Sequence, residues 1–79
     1  MKIKPEHFAH MRATIAPLDT DFHRARYAAA GLSTTRYQWD LLRHAGLMTW
    51  LCDTLYAYLD DVHIQTALNK IVAPLETTA

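Results

Sequence analysis

The chain is poor in the residues that punctuate, staple or metallate a fold. It has one cysteine, Cys52, so no disulfide can close within it and nothing points to an oxidising compartment. Its two glycines, Gly31 and Gly46, are too few and too far apart for a phosphate-cradling loop. Three prolines among 79 residues leave long stretches free to be helical. No window approaches the ~18 consecutive apolar residues of a membrane span. Basic Lys2 and Lys4 are followed by no apolar run, so the N-terminus does not read as a signal peptide, and a cytoplasmic protein is expected. Net charge is zero, which argues against a strongly basic nucleic-acid-binding domain, and with only 20% charged residues the chain is not a disordered one.

What is present is apolar and alanine-rich. At 51% hydrophobic residues the chain has enough for one core, and its length allows one domain spanning 1–79. A chain this short buries only roughly 60% of its unfolded surface, so its stability margin is thin. Charge is uneven along the sequence. Residues 1–43 carry seven Lys and Arg against four Asp and Glu, a balance of +3; residues 44–79 carry Lys70 against Asp53, Asp60, Asp61 and Glu76, a balance of −3. That layout suits an oriented protein contact, or is scatter over a solvated surface.

No segment alternates apolar and polar residues as a strand does. Pro5 fits a first helical position, and Phe8, Met11 and Ile15 follow on one stripe until Ala16-Pro17 ends the helix. Asp19, Thr20 or Asp21 caps a second helix, with Leu18, Phe22, Ala25 and Ala29 as its expected inner stripe and Gly31 as its left-handed end. Ser33 caps a third, with Tyr37, Leu41 and Ala45 inward and Gly46 as its stop. A fourth starts near Thr49 with Leu51, Leu55, Tyr58, Leu59 and Val62 inward. Asp60 or Asp61 caps a fifth, with Ile64, Ala67, Leu68, Ile71 and Val72 inward, unless the fourth and fifth run on as one helix, and residues 74–79 form a frayed tail. The expectation is an all-α fold, a compact bundle of four or five short helices.

Chemistry is sparse. His7 and His10 share a helix face, but no H-E-x-x-H or C-x-x-C spacing completes a ligand set, so no metal and no cofactor are expected. Cys52 lies near an apolar stripe and reads as a buried, inert thiol. No nucleophile elbow is present, and so small a bundle is expected to lack a pocket of several hundred cubic ångströms. The chain reads as a binder and not an enzyme.

Two binding readings compete. Ala28 to Tyr37 resembles the turn of a helix-turn-helix, in which Thr34, Thr35, Arg36 and Gln38 would meet base edges while Arg24, Arg26 and Arg43 met phosphates. Tyr27 stands where that motif wants a small residue, and Asp40 where it wants an apolar one. Alternatively, Trp39 flanked by Arg36 and Arg43 has the composition of a protein-interface hot spot, unless it packs against another helix while Arg36 pairs with Asp40. Asp60 and Asp61 would then be available to a basic partner.

The segments Arg36–Leu42 and Leu55–Ile71 resemble the T-R-Y-R-W-D and L-Y-x-Y-L-x-D-x-H-I-x-T-A-L-x-x-I motifs of a family of small proteins carried by bacteriophages, prophages and plasmids. The likeness covers roughly the second half of the chain. It departs at Gln38, where the family has Arg, and in joining the motifs through apolar Leu47–Cys52. The resemblance implies a mobile-element setting and brings no activity or functional residues with it. In that setting a small neutral helical protein suits a stoichiometric binder of a host protein or protein–RNA complex, including anti-defence proteins such as CRISPR inhibitors. A virion assembly protein, recognisable by self-association, is a third reading.

Overall fold

The computed structural model describes residues 4–55 and 60–75, and among these it has five helices and no strand. They are α1 (Pro5–Ile15), α2 (Asp21–Ala29), α3 (Thr34–His44), α4 (Leu47–Leu55) and α5 (Asp61–Ile71). None is long and apolar enough to cross a membrane.

Local signals place most boundaries. Pro5 opens α1, where its missing N–H needs no partner, and the Lys4 amide donates to His7 Nδ1 at 3.1 Å. Thr20, Ser33 and Asp60 cap α2, α3 and α5, each accepting from the backbone N–H three residues on. Asp60 is extended (φ −86°, ψ 173°), so α5 starts as a helix separate from α4. Gly31 and Gly46 end α2 and α3 at φ +70° and +72°, a region costly to any residue with a Cβ. Because Gly46 completes the reversal alone, α4 begins at Leu47, two residues before the expected start.

The core gathers Met11 and Ile15 of α1, Tyr37, Leu41 and Leu42 of α3, Leu47 and Leu51 of α4, and Ile64, Ala67 and Leu68 of α5, with Val72 and Leu75 beyond it. Central α3 packs against both α4 and α5. It runs antiparallel to α5, since Thr34 meets Leu75 at one end while Trp39 meets Gln65 further along.

Four expectations are corrected here. Leu75 is buried and its amide donates to the Thr34 hydroxyl at 3.0 Å, so the chain stays attached to the bundle past Pro74. Val62 is 71% exposed, because Asp60 sets the phase of α5 and puts Ile64, not Val62, inward. Cys52 is exposed, one position off the stripe led by Leu47 and Leu51. Tyr58, Leu59 and residues 76–79 lie outside the described residues.

The fourth correction concerns α2, which contributes no buried residue. Phe22, Ala25 and Ala29, expected inside, face outward, and Phe22 is 65% exposed. The opposite edge of the helix, Arg24 and Tyr27, is the one that docks, and it docks through polar atoms. Arg24 grips Asp19 with Nε–Oδ1 at 2.7 Å and Nη2–Oδ2 at 3.0 Å, and donates to the carbonyls of Ala73 and Pro74 at 3.1 and 3.3 Å. Long polar side chains therefore hold the helix where the alanine periodicity suggested apolar contact.

Candidate functional site

Because α2 is tethered by long side chains and not packed flush, a gap opens between it and α3. The cleft has a volume of about 350 Å³ and is lined by Leu18, His23, Tyr27, Tyr37, Asp40, Leu41 and His44. The expectation that so small a bundle has no such pocket fails for that reason.

Two aromatic rings shape it. Tyr27 and Tyr37 meet edge to face, with centroids 5.0 Å apart and planes at 64°. The Tyr27 hydroxyl donates to Asp40 Oδ2 at 2.6 Å, and that carboxylate also accepts from Arg36 Nε and Arg43 Nη1, both at 3.2 Å. The Tyr37 hydroxyl donates to Asp19 Oδ1, and the Arg24 guanidinium lies over the Tyr37 ring at 5.3 Å. At the mouth, His23 Nδ1 is 2.7 Å from the Thr20 hydroxyl.

These contacts set the ionisation of the site. Burial alone would raise the Asp40 carboxyl, but the bonds from Tyr27 and Arg36 and the charges of Arg36 and Arg43 outweigh it and hold it below the usual carboxylate range. Asp19 behaves alike: burial is overcome by the bonds from Arg24 and Tyr37. The bond to Asp40, then burial, raises the Tyr27 phenol; burial, then the bond to Asp19, raises Tyr37 further. Both phenols stay protonated and directed at carboxylates at neutral pH, which makes them poor nucleophiles or bases. Half-buried Leu18 and Tyr27 remain as contact surface, with buried Leu41 and Tyr37 as the floor behind them, so the cleft offers a shallow apolar seat.

The residues singled out in the sequence are distributed as follows. Arg36 and Arg43 do stand together beside the cleft, 59% and 60% exposed, joined through Asp40. Trp39 does not stand exposed between them. It is half-buried against the core, and its indole Nε1 donates to Gln65 Oε1 at 2.7 Å, because α5 covers that side of α3. Asp60 and Asp61 are exposed at the end of the bundle that also carries the C-terminal turn of α3; Asp60 is engaged as the α5 cap and holds His63 Nδ1 at 2.6 Å.

Of the four side chains proposed to meet base edges, two are not free to do so. Gln38 is 2% exposed, donates to the Val72 carbonyl at 3.1 Å and accepts from Gln65 Nε2 at 2.6 Å. Thr34 is half-buried and bonded to Leu75, while Thr35 and Arg36 are exposed. Arg24, assigned to a phosphate, is committed to Asp19 and the chain after α5. A helix covered on two sides by α4 and α5 has little left to lay in a groove.

His7 and His10 flank the Trp50 ring, at centroid distances of 5.9 and 4.5 Å. Among the described residues no three of His, Cys, Asp and Glu come together as metal ligands. No protein-family model matches the chain, and neither a curated protein nor a solved structure matches it.

Proposed function

We propose that this chain is a non-enzymatic binding module that seats an apolar side chain of an acidic partner protein in the cleft between α2 and α3. The observation that carries this reading is the character of the cleft. Its two phenols and its carboxylate are already hydrogen-bonded, Leu18, Leu41 and the tyrosine rings make its walls largely apolar, and beside it two exposed guanidinium groups share one carboxylate. The local balance of Arg36, Arg43 and Asp40 is one positive charge, which suits acidic groups flanking the anchor. Arginine and tyrosine beside a pocket are enriched at interface hot spots.

The motif resemblance supplies the setting: an accessory protein of a phage or other mobile element, acting in the host cytoplasm by occupying a surface of a host protein or protein–RNA complex. Inhibition of a CRISPR effector is one instance of that class. Trp39 leaves the contact set of this reading, Arg36 and Arg43 stay in it, and Leu18, Tyr27 and His44 enter it.

The test is affinity capture from nuclease-treated host lysate, with wild type beside two variants. His44→Trp fills the mouth of the cleft, and Arg36→Glu with Arg43→Glu reverses its rim. The expected result is one host protein or complex recovered stoichiometrically by wild type and lost by both variants, with helicity unchanged. Equal recovery by the variants overturns the cleft; recovery of DNA alone, without nuclease, overturns the protein-binding class.

A further inference from the structure

The outer face of α2 is not part of the cleft, and its pattern is specific. Phe22, Ala25 and Ala29 recur at steps of three and four along it, all exposed. Asp21 and Arg26 flank this strip on opposite edges, five residues apart. Among the described ion pairs neither takes part. The Arg26 guanidinium lies over the Phe22 ring at 5.6 Å.

In two parallel helices packed face to face, the edge residue one before the first apolar position approaches the opposite edge of its neighbour five residues on. Asp21 and Arg26 have that offset, with Phe22 and Ala29 at equivalent seam positions and Ala25 between them. A two-fold axis along the helix pair carries each Asp21 edge onto the other copy's Arg26 edge, twice. An antiparallel two-fold pairing would set Asp21 edge against Asp21 edge and Arg26 edge against Arg26 edge. The pattern is therefore complementary to itself in one orientation.

We propose that α2 is a homodimerisation helix: a second copy of this chain packs its α2 in parallel across Phe22, Ala25 and Ala29, with Asp21 of each copy paired to Arg26 of the other. Ala25 and Ala29 let the helix axes approach closely at one end of the contact, while the facing Phe22 pair sets a wider separation, about 10 Å, at the other. The Arg26 guanidinium already lies over the Phe22 ring, so it covers the edge of the buried ring where it meets the other copy's Asp21. Beside Asp21 the surface opens into a groove bounded by Arg24, Ala25, Ala28 and Pro74; the Arg24 guanidinium there is bonded to Asp19 and to the Ala73 and Pro74 carbonyls, so Asp21 keeps its hydrogen-bonding capacity for the incoming guanidinium. The docked edge, Arg24 and Tyr27, lies on the far side of the helix, so the rest of each bundle points away from the axis. A parallel two-fold contact closes on itself and does not propagate, which separates it from virion-type assembly. With two turns of helix in contact, it falls below the ~1,200 Å² of standard interfaces and is a weak dimer.

Sedimentation equilibrium tests this. The apparent mass of wild type should rise from one 9.0 kDa chain towards two between roughly 10 µM and 1 mM, the weak end of protein association. Asp21→Arg alone and Arg26→Asp alone should each weaken the dimer by roughly tenfold, as two attractive pairs become repulsive. An equimolar mixture of the two variants should restore association, because one then carries only positive edges and the other only negative ones. Phe22→Gln, at an exposed position, should abolish the dimer without loss of helicity, and it decides the matter should Asp21→Arg unfold the helix. A wild type monomeric throughout this range, single variants as dimeric as wild type, or a mixture no more associated than its parts overturns the proposal. None of these three residues lines the cleft, so loss of the dimer and loss of partner capture are separate outcomes.

Discussion

The Tyr27 hydroxyl donates to Asp40 at 2.6 Å across thirteen residues of sequence. These are the two residues that fit a helix-turn-helix worst, one too large for its position and the other charged where the motif is apolar. The two misfits are partners. Their bond joins α2 to α3 and forms one wall of the cleft, so the local departures from a DNA-binding motif have a common physical cause.

The two carboxylates that hold α2 should make stability fall in acid. Asp19 and Asp40 titrate lower in the folded chain than in the unfolded one. Their contribution is therefore complete above about pH 4, the unfolded carboxylate value, and is lost as pH falls through the folded values. Tyr37 titrates higher when folded, so its contribution is complete below about pH 10 and is lost as pH rises beyond. Urea midpoints measured across pH should show a plateau with both limbs, and Asp19→Asn should flatten the acid one. A midpoint unchanged down to pH 2 would remove these carboxylates from the account.

Gln38 is the buried polar link between α3 and the chain after α5. Gln38→Ala removes its bonds to the Val72 carbonyl and Gln65 and leaves a void, for a loss of about 2–3 kcal/mol. Chemical denaturation monitored by circular dichroism measures it. A cost under about 0.5 kcal/mol, the level of an ordinary surface change, would mean the amide is not held as described.

Trp39 and its flanking arginines should separate cleanly. Trp39→Ala is expected to cost about 3 kcal/mol, since the indole packs on the core and bonds Gln65. Arg36→Ala and Arg43→Ala should each cost under about 1 kcal/mol, because each arginine is more than half exposed and Asp40 keeps its bond from Tyr27 and its pair with the other arginine. Equal effects at all three positions would return Trp39 to the surface.

The two helix-ending glycines offer a test of backbone alone. Nothing lies within 4 Å of a Cβ built on Gly31 or Gly46, so an alanine at either meets only the left-handed φ. Each substitution should cost about 1 kcal/mol, and the double variant the sum of the two. A neutral Gly31→Ala would show that the α2–α3 turn relaxes freely.

Cys52 is exposed on α4. A thiol reagent should label the native protein at nearly the rate of the urea-unfolded chain. Slow labelling, abolished by urea, would instead place the thiol inside.

How much of this was legible varies with the range of the forces involved. Helix ends come from residues a few positions apart: Pro5, Ser33 with the Arg36 amide, Gly31, Gly46 and Asp60 with the His63 amide. These ends are legible in the sequence, apart from the start of α4. The inner faces of α1, α3 and α5 are legible for a related reason, since large apolar side chains at helical spacing have one favourable place to go. The inner face of α2 is not. Alanine gains little from burial, so the stripe Ala25–Ala29 had no strong preference for the core, and Arg24 and Tyr27 reached farther with bonds worth more. The candidate site was half visible: Arg36 and Arg43 do stand on one side, but Trp39 and Gln38 turn inward towards α5. The cleft itself had no periodic signal; the nearest one was the pair of anomalies at Tyr27 and Asp40.

Composition and local pattern thus carry the helical class and most of the residues that end its elements, because backbone conformation and capping act over a single helical turn. Which face α2 shows to solvent, which polar residues are buried and where an open cleft remains depend on partners thirteen to fifty residues away: Tyr27 with Asp40, Trp39 with Gln65, Arg24 with Pro74. Those choices rest on competition between a few long polar side chains and a weakly apolar alanine face. That competition is resolved only when α2, α3 and the end of the chain meet.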